Sequence, residues 1–528
     1  MHKTIRCAAL IVILALISAG PVAAKTFRWA NNGDSNSMDP YARMESFLLS
    51  FNGNMYEPLV RRDKDLKLDP ALATEWSQPQ PDVWRFKLRQ GVTFHDGTPF
   101  TADDVVFSYE RAVNPGSNLT GTVATIKEVK KVDDYTVDIV TKGPDPILPD
   151  EITFWYIMSK VWCEKHNATR AADLTKNEES YATTHANGTG PFMLKDRQPD
   201  VQTTLVKNPN WWDKTGLAID ETVFFRIADA HTRVQALLAG DIDMIYDVPS
   251  QDIDTIAKAQ HLKILQGPEL RTIYLGFDQW RPELVESNVK GKNPFKDIRV
   301  RKAFYQAIDE EAIKTKVMRG YAVPTGLMIG KGINGFEESL NKRLLPHDPA
   351  AAKKLLAEAG YPEGFEVGMD CPTDRYNNDE QICTAIAAML AKIGIKIVPN
   401  FQTRAKYFAK ILGPGYNSSF YMLGWTPATY DAHNMLMSLL VKPTGKGRGD
   451  YNVGGYTNPQ VETLVDQIQV ETDKEKRATE IHEALKITKD EVATIPLHQQ
   501  VLVWATRDNV ELVQMADNQF PLRFVKVK

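Results

Sequence analysis

The chain has 528 residues, 43% of them hydrophobic and 25% charged, with 63 Lys and Arg against 67 Asp and Glu. That length exceeds a single hydrophobic core and predicts two or three domains. The mild negative balance argues against a nucleic-acid binder, which would show a basic face.

The chain opens on MHKTIRCAALIVILALISAGPVAA: a short basic segment, an apolar run broken only by Ser18 and Gly20, then small residues at Val22-Ala23-Ala24. This pattern predicts a secretory leader over 1–24, too short to span a bilayer. Cys7 precedes the apolar run, so a lipid-anchored cysteine is not expected. An exported protein without a membrane span follows. Its leader removes Lys3 and Arg6, leaving 61 basic residues and three cysteines, Cys163, Cys371 and Cys383.

VWRFKL (83–88) alternates as a half-buried strand, and Asp96-Gly97 marks a turn. Thr101 and Asp104 have capping-box spacing before an amphipathic helix, VVFSYERA. DDYTVDIVT (133–141) reads as one strand. NGTGPF (187–192) lacks phosphate-loop spacing and reads as a backbone corner, and NPNWWD (208–213) as a turn with an aromatic plug. A helix stopping at Gly240 and then a short strand follow in 231–249. Residues 298–318 read as one amphipathic helix, and 348–361 as a helix from Asp348 to Gly360.

FEVGMDC alternates as a strand; Asn377-x-x-Glu380 can cap a helix with apolar positions from Ile382 to Ile393; Gly394 stops it and IKIV resumes a strand. Strand–helix–strand predicts a parallel βαβ unit. In an oxidising compartment the twelve-residue separation makes Cys371–Cys383 the expected disulfide, leaving Cys163 as a thiol. The bond would staple the loop carrying Arg375. Ligands of open α/β sheets bind beyond the carboxyl ends of strands, and a helix N-terminus there favours an anion. Arg375 adds a fork matching a carboxylate; its alternative is a surface pairing with Asp374 or Asp379. FYMLGWTPATYDAHNMLMSLL (420–440) reads strand, loop, helix, with Trp425 at the turn either walling an apolar pocket or filling the core.

No G-x-S-x-G, H-E-x-x-H, C-x-x-C, phosphate-loop or dinucleotide fingerprint occurs, and the histidines are scattered. Hydrolase, zinc and nucleotide functions lose support, and no cofactor or metal is expected.

Met38-Asp39-Pro40, WRFKLRQGVTFHDGTPFTADDVVFSYERA, NGTGPF, NPNWW, IRVRKAFYQAID, DRYNND, Gly424-Trp425, GGYTNP (454–459) and IPLHQQ (495–500) run in one order along the chain. In that order they resemble the extracellular solute-binding proteins of family 5, the dipeptide, oligopeptide and nickel group of ABC transporters. The resemblance implies an α/β, two-lobed periplasmic-binding-protein fold of type II, a large subclass with an extra subdomain and a hinge. It places 25–65, 185–275 and 496–528 in the first lobe, 66–184 in the subdomain and 276–495 in the second lobe. The chain would cross near Leu275–Asp278 and return near Ile495–His498.

It also implies a monomer without catalysis that closes over a small carboxylate ligand and presents it to an ABC permease in the inner membrane. Arg375 occupies the place of a carboxylate-holding arginine, beside Tyr376 and Trp425. Ala428 stands where peptide-binding members carry the acid that meets an α-ammonium. Asp431 matches a later acidic position of that loop, and Asn32 and Asp34, after the first strand, would either reach the cleft from the opposite lobe or cap a turn. Ordinary dipeptides are then expected to bind poorly, and blocked peptides or organic-acid conjugates better, since an unpaired buried ammonium is costly. The competing expectations are a metal-chelate carrier of the nickel type, an exported hydrolase of peptide-like conjugates, and a receptor that presents ligand to a sensor.

Overall fold

The structure is a computed structural model that describes residues 25–528 apart from 177, 374, 413–415 and 445–447. The leader expected over 1–24 lies outside the described residues.

Two long strands organise the molecule. Leu262–Phe277 and Thr494–Arg507 pair antiparallel from Leu262↔Arg507 to Gly276↔Thr494. Their β-branched and aromatic residues suit strands, and the run Ile273–Phe277 is buried on both faces. One end of this pair recruits Phe420–Trp425, then Phe365–Pro372 and Ile395–Gln402. The other end recruits Met244–Ile245, Thr26–Asn31, Glu221–Arg226, Gln202–Lys207 and Phe192–Gln198. One continuous sheet therefore joins two halves through two strands only. The pairing register shifts between Pro268 and Thr272 and again between Ile273 and Tyr274. Such irregularities bend a ladder locally. The bend thus precedes the expected crossing at Leu275–Asp278: polar residues from Glu269 to Thr272 are inserted into a strand whose pattern otherwise runs on.

Each half buries its own apolar residues. Trp29, Phe51, Phe224 and Phe520 pack in one cluster that also takes in Phe86, Val137 and Ile139 of a small antiparallel sheet. That sheet holds Ala73–Gln80, Val83–Leu88, Thr136–Thr141 and Ile126–Asp133. The expected strand over 133–141 is thus a hairpin: Asp133 ends one strand, its carboxylate accepts from Tyr135 N, and Thr136 starts the next. Phe277, Phe304 and Phe420 centre a second cluster in the other half.

Motif residues act as braces. Asp39 and Arg111 are fully buried and joined by two hydrogen bonds of 2.9 and 2.6 Å. Arg111 lies on the helix Ala102–Val113, which begins with the expected Thr101–Asp104 capping box. The NGTGPF corner docks on Met55, where a Cβ at Gly188 would lie 2.0 Å from the Met55 carbonyl oxygen. The helix expected over 298–318 breaks: Ile298–Ala307 ends, Asp309 caps a new start at Glu310, and the chain widens into a π turn over Ile313–Val317. The aspartate side chain accepting from Ala312 N at 2.9 Å competes with helix continuation. Helix Pro349–Glu358, capped by Asp348, ends before Gly360 at φ +90°.

Candidate functional site

The stapled loop comes first. Phe365–Pro372 and Ile395–Gln402 run parallel around the helix Asp379–Ala391. Cys371, at the strand end, is bonded to Cys383 in the second turn of that helix, with Cα atoms 6.5 Å apart. The helix cap is Asn378 at φ +55°, one residue later than expected, and its amide donates to the Val317 carbonyl at 3.0 Å. Asp379 turns its carboxylate back onto the loop, accepting from Arg375 N at 2.9 Å and Tyr376 N at 3.1 Å. Asp374 lies outside the described residues.

Tyr376 explains the glycine before Trp425. Its buried hydroxyl accepts from Gly424 N at 2.9 Å, and a Cβ on Gly424 would lie 2.8 Å from its ring. The half-buried Arg375 guanidinium sits 5.0 Å from the centre of that ring. Burial raises the Tyr376 pKa, while the charges of Arg375 and Arg271 oppose the rise. The charges of two guanidinium groups therefore act on one phenol, one from the stapled loop and one from the bent part of Leu262–Phe277.

The second loop follows strand Phe420–Trp425. Trp425 is half-buried edge-on to Tyr451 at 5.0 Å, and its Nε1 is buried without a hydrogen-bond partner. The hydroxyls of Thr426 and Thr429 are orphaned in the same way. Ala428 is exposed and donates its N–H to Asn434 Oδ1 at 3.3 Å. Asp431 is turned inward. It accepts from Arg477 at 2.7 and 2.9 Å, from Asn334 at 2.7 Å and from His433 N at 2.9 Å. Burial alone would raise its pKa; the Arg477 hydrogen bonds and charge more than offset this and hold it down. Its lone pairs are engaged by the fold. Asp34 is likewise engaged: it is paired with Arg197 at 2.9 Å and accepts from Asp200 N at 2.8 Å. Asn32 is exposed in the turn after the first strand.

The bend contributes residues that sequence reasoning missed. Arg271 pairs with Glu269 at 3.2 Å and keeps its Nε buried without a partner. Thr272, fully buried and opposite both Trp425 and Gln499, has an orphaned hydroxyl. Asp247 follows the short strand Met244–Ile245 at φ +61°, reached by solvent yet walled by protein. Burial and then Glu269 push its carboxyl up to about 6, against the charges of Arg233 and Arg271. The faint signal for this group was Glu269, Arg271 and Thr272 interrupting an apolar strand. Arg271, Thr272, Trp425, Thr426 and Thr429 thus each bury a polar atom without a hydrogen-bond partner, where buried polar atoms normally find one. Among the described residues, no group of three or more His, Cys, Asp or Glu side chains could hold a metal ion.

A sheet of two halves joined by two bent strands, with loops from strand ends facing the join, defines the class of two-lobed periplasmic binding proteins. The sequence model of bacterial extracellular solute-binding proteins, family 5, matches residues 67–447, and the chain belongs to this family. The glutathione-binding protein GsiB of Pectobacterium atrosepticum is 27% identical over 478 residues, covering 88% of this chain and 87% of the relative. Heme-binding protein A of Haemophilus influenzae is 28% identical, covering 85% and 82%. The solved structure of AgaA from A. tumefaciens R10 in complex with agropinic acid is 25% identical with a TM-score of 0.75, covering 95% of this chain and 99% of that one. Members of the family are binding proteins, and this chain is a solute-binding component of an ABC importer. No helix among the described residues is long and apolar enough to cross a membrane.

Proposed function

We propose that this protein captures a small solute bearing a carboxylate between its two halves and hands it to a permease of the inner membrane. It does so as a periplasmic monomer exported through a leader cleaved after Ala24, with lobe boundaries near 275 and 495. The observation that carries the reading is Arg375 held against the Tyr376 ring by a loop pinned through Cys371–Cys383 and Asp379. A guanidinium on so fixed a backbone loses little entropy when it takes a carboxylate in two hydrogen bonds. Trp425 and Tyr376 wall the apolar part of the ligand. Contacts to both halves favour closure, because only differential binding shifts the two-state equilibrium.

Ala428 presents no charge to an α-ammonium, and Asp431 is committed to Arg477. The preferred solutes are therefore acids without a free amino end at that position: blocked or modified peptides and organic-acid conjugates. The agropinic acid and glutathione named for two relatives carry the same acidic group. The test is native purification followed by mass spectrometry of the molecule that leaves with the protein, then calorimetry with that molecule. An acidic solute is expected, and Arg375→Ala should weaken it by about 2 kcal/mol or more. A neutral or cationic solute, or unchanged affinity in the variant, would overturn the reading.

A further inference from the structure

A cavity of about 70 Å³ lies on the seam, lined by Glu57, Arg61, Arg62, Tyr430, Asp517 and Arg523 among others. It opens beside the loop that carries Ala428, two residues before Tyr430. Four of its five charged groups are matched. Glu57 accepts from Trp211, Trp212 and Thr189 at 3.1, 2.8 and 2.9 Å. Arg61 pairs with Asp69 at 2.8 Å, and Arg62 with Asp150 at 2.7 Å. Asp517 accepts from the Tyr430 hydroxyl at 2.6 Å.

Arg523 is the exception. Its only hydrogen bond among the described residues is from Nη2 to the Arg62 carbonyl oxygen at 3.1 Å, and its guanidinium lies 4.5 Å from the Phe524 ring centre. No carboxylate of the described residues forms an ion pair with it. A guanidinium carries five N–H donors, so most of them have no acceptor. Burial and then the charge of Arg61 lower its pKa to about 10, against the charges of Glu57 and Asp69. Half-buried, lining the cavity and with no carboxylate at ion-pair distance among the described residues, Arg523 keeps donors that an acceptor in the cavity can take.

We propose that Arg523 and this cavity form an oxyanion subsite, which takes a carboxylate, sulfate or phosphate-like group on the arginine's unused donors. Tyr430 from one half touches Asp517 and the Arg62 guanidinium of the other, the latter 4.1 Å from its ring centre. An anion held there would sit where the halves meet. Its source is a second acidic group of the captured solute, at the end where peptide binders meet an ammonium, or a free inorganic oxyanion. The first source rests on the carboxylate reading of Arg375; the subsite itself does not.

Thermal unfolding of the whole protein in sodium sulfate, against sodium chloride at equal ionic strength, tests the subsite. Wild type and Arg375→Gln should show a saturable rise of at least about 1 °C, because a ligand of the native state alone stabilises it. Arg523→Lys, which keeps the charge, should retain the rise, and Arg523→Gln should lose it. No saturable rise in wild type, or an equal rise in Arg523→Gln, overturns the subsite. Calorimetry with N-succinyl-Ala-Ala and N-acetyl-Ala-Ala separates the two sources. A preference of tenfold or more for the succinyl form, lost in Arg523→Gln, assigns the anion to the solute. Equal affinity, or no binding of either peptide while the sulfate rise stands, overturns that assignment and leaves a free oxyanion. Failure of the Arg375 reading would instead appear as unchanged peptide affinity in Arg375→Gln.

Discussion

The loops after Phe365–Pro372 and after Phe420–Trp425 sit side by side, their strands bridged in parallel at Asp370 and Tyr421. Each carries an aspartate that a sequence alone would offer to a ligand. In the first loop Asp379 holds the backbone N–H groups of Arg375 and Tyr376, and a disulfide closes the base. In the second Asp431 is locked into Arg477 and the start of helix Ala432–Leu439. Both acids are structural. One loop is braced locally and carries Arg375; the other is braced by a helix far along the chain and carries Ala428 and Trp425. The comparison teaches that a loop aspartate can be consumed by the bracing of the loop itself.

The sharpest way to break this contrast is to remove Arg477. Arg477→Met leaves Asp431 buried and unpaired and should cost about 3–5 kcal/mol in urea unfolding. A loss below about 1 kcal/mol would mean that Asp431 can turn outward to a ligand. Acid should separate the loops next. His433, in the second, is buried and its pKa falls to about 4 from 6.5. The unfolded chain takes up that proton while the native state does not, so stability is lost as pH falls from 6.5 towards 4. By pH 4 the loss is about 3 kcal/mol. Asp431, with its lowered pKa, acts in the same direction at lower pH. Residues 371–383 contain no histidine. Hydrogen exchange at pH 5 should therefore accelerate in 425–440 more than in 373–383; equal protection would contradict the contrast.

Placing a charge on the bare side of the second loop is the next test. Ala428→Asp should improve calorimetric affinity for free dipeptides by about tenfold or more, the scale of one charge-assisted hydrogen bond. No gain would show that position 428 faces away from the ligand. The smallest expected effect lies in the contact between the loops. Tyr376→Phe removes the acceptor of Gly424 N and should cost about 1 kcal/mol of stability. No measurable cost would show that the two loops are not coupled through it.

Much of this architecture was legible beforehand. The βαβ unit at 365–402, the Thr101 capping box, the Gly240 and Gly360 stops and the Cys371–Cys383 bond all depend on residues close in sequence. The break at Asp309 was hidden because apolar spacing continues through it while a side chain captures the backbone. The bend at 268–274 was hidden because strand propensity carries on past it.

Periodicity, capping and turn chemistry act between chain neighbours, so the sequence by itself determined most strands and helices and the two loops that follow Phe365–Pro372 and Phe420–Trp425. Electrostatic partnership acts through space. Asp34 meets Arg197 at a separation of 163 residues, and Asp431 meets Arg477 at 46. Among the described residues Arg523 hydrogen-bonds only a carbonyl, 461 residues away. Which charges are spent on the fold and which are left to meet a solute was decided by the tertiary structure alone, because a carboxylate's role follows from whatever folding brings within about 3 Å of it.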